Sequence, residues 1–323
     1  MAAGSALLQV SAARAAQPAN SVFRVGHLSG SSAAGSKLFV DSFREGMRAL
    51  GLIDGRNWSL TERYAHGNTG RLADLAQQLI KENPDLLLVS TTPANVAAKA
   101  ATVAIRIPIV MVLVADPVGA GLVANLARPG GNITGITNIA AELAGKRLEI
   151  IKEIVPSASR IAVFVNPNSQ NANLQLQHAQ AAARRLRVEL SPLLEVRSPA
   201  DLENAFREAV SAHAGAAIRM IDPLVFMLRQ QTAALATKFR LPMIYPSSED
   251  AEAGGLVAYG ANIPEQYRQA ATLAAKILRG AKPADLPVEQ PTKFELVVNL
   301  KSAKAQGITM PQSVMVRADK VIE

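Results

Sequence analysis

Short runs dense in Val, Ile and Leu alternate along this chain with longer stretches whose apolar residues return every three or four positions. FRVGHLS (23–29) has strand composition, and in the segment 36–50 Phe39, Phe43, Met47 and Leu50 fall on one helical face. WSLTERY (58–64) then precedes RLADLAQQLI (71–80), LLLVS (86–90) precedes an alanine-rich helix, and PIVMVLV (108–114) precedes a helix opening at Pro117. This βαβαβαβα order predicts a parallel sheet covered on both faces.

RPGGNITGITN (128–138) breaks the alternation with three glycines and a proline and reads as a crossing between lobes. A second series follows: IAVFV, VELSPLL, AAIRMI, PMIY and LVAYG, separated by helical stretches. PADLPVEQPTKFELVVNL (283–300) reads as a further connection into a final strand and a short helix. The expected fold is α/β, with two Rossmann-like lobes built on parallel sheets. The chain would cross near residues 138, 261 and 289, which assigns 22–138 plus 261–288 to an N-terminal lobe and 139–260 plus 289–323 to a C-terminal lobe.

One junction recurs. An apolar strand ends in a small polar or acidic residue, then a proline, then a helix: TTP at 91–93, ADP at 115–117, VNP at 165–167 and IDP at 221–223, with YPSSED at 245–250 a near relative. Thr92 is placed to cap its helix with Pro93 in the first turn, and Ser247 or Ser248 to cap the last. Each junction alone is an ordinary helix cap. Repeated at the carboxyl ends of parallel strands, where α/β folds bind ligands, they outline a cleft between the lobes.

Composition narrows the function. The chain has 323 residues, enough for two domains, and is 49% hydrophobic with 4% aromatic residues. It has no cysteine, which excludes disulfides, thiolate catalysis and cysteine metal sites. No apolar stretch reaches the roughly 18 residues of a membrane span, so no direct membrane insertion is expected. The net charge is +8, but its densest group, Arg184-Arg185-Leu186-Arg187, has no interleaved aromatics and reads as a solvated helix end rather than a nucleic-acid site. Residues 1–21 carry small side chains and an AxA-like Ala13-Arg14-Ala15, and read as a partial export signal or an alanine-rich tail.

Catalytic motifs fail. GHLSGSS is neither GxGxxG nor GxSxG, no phosphate loop or HExxH occurs, and His27, His66, His178 and His213 lack metal-ligand spacing. Asp116 and Asp222 could form an acid/base pair, but without a nucleophile or cofactor signature they read better as caps or as partners of a ligand ammonium. No catalytic residue, cofactor or metal is expected.

Longer motifs carry a resemblance. DPVGAGLVANLARPGGNITGITN (116–138), EAGGLVAYG (252–260) and VEQPTKFELVVNLKSAKAQGITMP (288–311), with ALGLIDGRNW and TTPAN, closely resemble the tryptophan/tyrosine-type ABC-transporter substrate-binding proteins, of the type I periplasmic-binding fold. The resemblance implies an exported, periplasmic receptor that clamps a small ligand by hinge closure and presents it to membrane permease subunits. It also implies cleft loops at Ser29-Gly30-Ser31, Ser90-Thr91-Thr92, Asp116, Asn138, Asn166, Asp222 and Tyr245 to Ser248, including Ser247. A ligand carboxylate would suit Ser29, Thr91 and Thr92, and an ammonium Asp116 or Asp222.

Two departures stand out: Ser247-Ser248 replaces a bulky or basic pair, and Gly67 to Arg71 replaces a GDP or GDxxR segment. With few aromatics to stack on an indole, and Trp58 in a strand, the residues do not name tryptophan as the ligand. A regulator's sensing core shares this fold, but residues 1–21 are too short for a helix-turn-helix. A two-domain enzyme using Asp116 and Asp222 is the other alternative.

Overall fold

A computed structural model describes residues 22–139, 141–169 and 171–323; the export-signal reading of residues 1–21 lies outside them. The first series gives β1 (Phe23–Ser29), α1 (Ala33–Ala49), β2 (Trp58–Tyr64), α2 (Leu72–Lys81), β3 (Leu86–Ser90), α3 (Thr92–Thr102), β4 (Ile109–Val114) and β5 (Ile133–Thr137). Its strands form one parallel sheet in the order β2-β1-β3-β4-β5. Every residue of β3 is buried, as a strand covered on both faces requires. Phe39, Phe43 and Met47 of α1 pack into this sheet's core with Trp58, whose indole N–H donates to the Leu52 carbonyl at 3.1 Å.

The second series gives α4 (Leu143–Ile154), β6 (Arg160–Val165), α5 (Ala172–Leu186), β7 (Glu189–Glu195), α6 (Asp201–Ser211), β8 (Ala216–Arg219), α7 (Pro223–Met227), α8 (Arg229–Lys238), β9 (Met243–Tyr245), α9 (Ser248–Glu252) and β10 (Val257–Ala261). Then come α10 (Ile263–Leu278), β11 (Phe294–Asn299), α11 (Leu300–Gln306), α12 (Gln312–Met315) and β12 (Lys320–Ile322). The second sheet runs β12-β11-β10-β9-β8-β6-β7. The Arg184–Arg187 group ends α5, with Arg184, Arg185 and Arg187 exposed.

Four expectations need correction. The Gly-rich segment 128–138 is not wholly a connection, because residues 133–137 form β5; its alternation ITGIT is buried throughout. The second sheet is not wholly parallel, since β11 is antiparallel to β10. The chain leaves β10 at the cleft edge, forms α10 against the first sheet's helix α1, and re-enters at the same edge, so β11 must run back. No helix opens at Pro117; Asp116 Oδ1 accepts the Gly119 N–H at 2.7 Å and closes a turn. The cap of α3 is Thr91 rather than Thr92, with φ +82° and no side-chain capping bond.

The core of the second lobe holds an ion pair. Arg219, at the end of β8, directs Nη2 to the Asp250 carboxylate of α9, and both side chains are almost wholly enclosed. Its Nη1 donates to the Val225 carbonyl of α7 at 2.7 Å, while Ser247 Oγ donates to Asp250 at 2.7 Å. Beside them, burial pushes the Glu249 carboxyl up to about 7.

Two outcomes follow for stability. Arg219→Met strands the Asp250 carboxylate and should cost about 3–5 kcal/mol in denaturant unfolding, whereas replacing Arg219 and Asp250 together by apolar residues should recover much of it. Glu249 binds its proton more tightly folded than unfolded, so it destabilises the fold increasingly as pH rises from about 4.5 to 7. Glu249→Gln should therefore stabilise the protein by about 1–3 kcal/mol at pH 8 and by little near pH 4.5, read as the difference from wild type.

Candidate ligand cleft between the lobes

The carboxyl ends of β1 and β3 in one sheet, and of β8 and β9 in the other, lead into opposite walls of one cleft. The cleft encloses about 810 Å³ of empty space, its open mouth included. The lobes meet around it. Asn171 Nδ2 reaches Thr92 Oγ1 at 3.3 Å, and the rings of Phe39 and Phe226 lie 6.0 Å apart.

On the first-lobe wall, Ser29 ends β1, and its Oγ accepts the Ser31 N–H at 3.2 Å. Ser31 Oγ and Thr91 Oγ1 are buried, line the cleft and have no hydrogen-bond partner among the described residues. Thr91 holds its positive φ, costly for a β-branched residue, where the chain turns from β3 into α3. The first-turn amides of α3 have no acceptor within the helix. Gly30 lies between these groups and the other lobe: a Cβ there would sit 3.0 Å from Thr91 Oγ1 and 3.9 Å from Pro223. Leu113, also at positive φ, occupies the irregularity in the β4–β5 register and lines the cleft.

On the opposite wall Asp222 caps α7. Its Oδ1 accepts the N–H groups of Leu224 (2.9 Å) and Val225 (3.3 Å) and the Asn166 side-chain amide (3.1 Å). Burial raises its pKa, and the Asn166 hydrogen bond opposes that shift. Ser247 and Pro246 complete this side.

The expected residues therefore sort by position. Ser29, Ser31, Thr91, Thr92, Asn138, Asp222 and Ser247 line the cleft. Gly30, Ser90, Asn166, Tyr245 and Ser248 stand outside its lining. Ser90 Oγ is bonded to His27 Nε2 (3.0 Å) and to the Tyr267 hydroxyl (2.6 Å), Asn166 supports Asp222, Tyr245 lies beneath the Arg219 guanidinium, and Ser248 opens α9. Asp116 lies on its turn and does not line the cavity that Asp222 lines.

An aromatic wall was missed from sequence. Phe39 stacks on Tyr267 with centroids 5.6 Å apart and also faces Phe226, and all three line the cleft. A signal for Tyr267 was present: Ala261-Asn262-Ile263-Pro264 repeats the strand, polar cap and proline junction, with Asn262 Oδ1 accepting the Glu265 N–H at 2.7 Å. Burial lowers the His27 pKa to about 4, so a neutral imidazole supports the Ser90–Tyr267 pair. Among the described residues no three His, Asp or Glu side chains gather as a metal site would require. No helix among them is long and apolar enough to cross a membrane.

A smaller cavity adjoins the cleft and shares Leu113, Asn138, Ile221, Pro246 and Ile263 with it. Its remaining wall includes Arg147 of α4 and Gln266 of α10, 0% and 1% exposed.

Comparison with known proteins agrees with this architecture. The Tyrosine-binding protein of Clostridioides difficile (strain R20291) is 26% identical over 266 residues, covering 81% of this chain and 74% of the relative. A conserved domain protein from Vibrio cholerae superposes with a TM-score of 0.86 at 28% identity, covering 93% of this chain and 99% of its own. The ABC domain from Streptococcus pneumonia, solved in complex with L-Trp, superposes with a TM-score of 0.85 at 25% identity, covering 94% of this chain and all of its own. The model of the ABC transporter substrate binding protein family matches residues 31–322. With two α/β lobes closed on a polar and aromatic cleft, the chain belongs to the ABC transporter substrate-binding protein family.

Proposed function

We propose that this protein is the periplasmic receptor of an ABC importer, that it captures an amino-acid-like zwitterion with an aromatic or apolar side chain, and that it hands the closed, liganded form to membrane permease subunits. The observation that carries this reading is the opposition across one cleft of a buried carboxylate and two hydroxyls without a hydrogen-bond partner among the described residues. Ser31, Thr91 and the N-terminal end of α3, which has no side-chain cap, offer donors to a ligand carboxylate. With Asp222 Oδ1 saturated by three donors, Oδ2 is the atom to meet an ammonium. Phe39, Phe226 and Tyr267 supply an apolar face for the side chain. The L-Trp and tyrosine named for the two relatives are ligands of this kind.

The lobes on this reading are 22–138 plus 261–288 and 139–260 plus 289–323, with the difference that Ala261 ends β10 of the second sheet and Glu289 pairs with Ile136 of the first, and the three crossings between them form the hinge. A ligand held by Thr91 on one lobe and Asp222 on the other makes its full set of contacts only when they are closed, which is the differential affinity that closure needs. A sensing core of a regulator would use the same cleft, whereas the family model that matches residues 31–322 is that of ABC transporter substrate binding proteins. The enzyme alternative loses its pair, since Asp116 does not share the cavity with Asp222.

Native mass spectrometry of freshly purified protein, before and after unfolding, should release a bound small molecule. Protein refolded without it should bind one or more amino acids in calorimetry, and a complete failure across all amino acids and aromatic acids would overturn the reading. Asp222→Asn keeps a good helix cap and should weaken amino-acid binding by about 1.5–3 kcal/mol, roughly ten- to a hundredfold. Asp116→Ala should leave affinity unchanged. Phe226→Ala should weaken aromatic ligands more than alanine or serine.

A further inference from the structure

The chamber behind the cleft is built for a polar group, yet nothing in the reading above uses it. Gln266 is 1% exposed and lines the chamber, and neither Nε2 nor Oε1 of its amide has a hydrogen-bond partner among the described residues. Leaving both ends of a buried amide unsatisfied is costly and uncommon in native cores. The chamber is also lined by Arg147, a fully buried guanidinium that donates Nη1 to the Tyr259 carbonyl at 3.4 Å and whose pKa is lowered to about 9 by burial and by the neighbouring Arg219. A guanidinium and a primary amide are both N–H donors, so the chemistry they share is recognition of an acceptor oxygen.

Position and size decide what brings that oxygen. The chamber is far smaller than the cleft, with room for about one water-sized group, so it takes a functional group and not a second ligand. It shares Leu113, Ile221, Pro246 and Ile263 with the cleft, so the far end of an elongated ligand would meet it by displacing only these side chains. Arg147 belongs to α4, which packs against the second sheet, and Gln266 to α10, which packs against the first. A group bonded to both therefore spans the lobes.

We propose that the Arg147–Gln266 chamber is the distal subsite of the cleft, and that it selects amino-acid ligands carrying an acceptor oxygen, a hydroxyl or a carboxylate, at the far end of the side chain. This rests on the amino-acid reading of the cleft. The oxygen accepts from Arg147 and from Gln266 Nε2, and a hydroxyl also donates to Gln266 Oε1. Because the bonds form only between closed lobes, the distal oxygen favours closure as well as affinity.

The test is isothermal titration of the full chain with L-phenylalanine, L-tyrosine and 4-carboxy-L-phenylalanine, repeated on Gln266→Leu and Arg147→Met. Gln266→Leu breaks no side-chain hydrogen bond to the described residues, and its melting temperature checks folding. The expected result is that at least one of the two oxygen-bearing ligands binds wild type tenfold or more tighter than phenylalanine. Gln266→Leu then shrinks that preference to about threefold or less without weakening phenylalanine. Should all three ligands bind wild type equally, or the preference survive Gln266→Leu intact, the subsite is overturned while the amino-acid reading stands. Should none of these ligands nor any other amino acid bind, both fall. Arg147→Met separates the classes within the proposal: it should lower the carboxylate ligand's affinity more than tyrosine's.

Discussion

The second wall of the cleft depends on one guanidinium. Arg219 lies at the end of β8, and from there it holds α7 through the Val225 carbonyl and α9 through Asp250, which in turn accepts from Ser247. The segments that carry Asp222, Phe226, Pro246 and Ser247 are thus fixed to one another by a rigid planar fork. A buried ion pair is weak support for stability, because desolvation of both ions offsets much of their attraction. Its role here is geometric: Arg219 Nη2 and Ser247 Oγ meet on the same buried oxygen, Asp250 Oδ2, which ties the two loops to one point.

The opposite wall is organised differently. Its polar groups are held by backbone, at the abrupt passage from strand to helix. Ser29, Ser31 and Thr91 stand where β1 and β3 stop, and Thr91 takes a positive φ that a β-branched residue adopts only under constraint. Ser90 anchors the same turn from behind through His27 and Tyr267, so the strained residue is supported on its buried side. One wall therefore offers fixed donors and the other a fixed carboxylate. This is preorganisation, in which the ordering cost is met by folding rather than by the ligand.

The periodicities and strand-ending prolines made most of this fold legible, because they report backbone preferences that act locally. β3, with every residue apolar up to Ser90, could hardly be anything but an interior strand. What escaped was set by long-range topology. Ile133 to Thr137 lies in a glycine-rich segment and becomes a strand only because the edge of β4 is free to pair with it. Asp116 shares the junction pattern of Asp222, yet the chain after it forms a turn, and no local signal separates the two. The aromatic wall was hidden for another reason. Phe39 sits on the helical face that also carries Phe43 and Met47, so apolar spacing alone cannot tell a core residue from one that lines a cavity at the edge of that core.

That ambiguity reflects how such a cleft is made. The helices α1 and α10 extend from the first core to the cleft, and a single apolar face serves both. Phe39 and Tyr267 are packed against each other in the first lobe, whereas Phe226 rides on the segment that Arg219 holds in the second. Opening the lobes would part Phe226 from Phe39 and expose apolar surface on both, so the empty cleft would itself favour some closure. A ligand must therefore contribute what this contact lacks. On the proposed reading, the polar groups left without partners among the described residues, at Ser31 and Thr91 in the cleft and Gln266 in the chamber beside it, would distinguish a correct ligand from an apolar surface closing on itself.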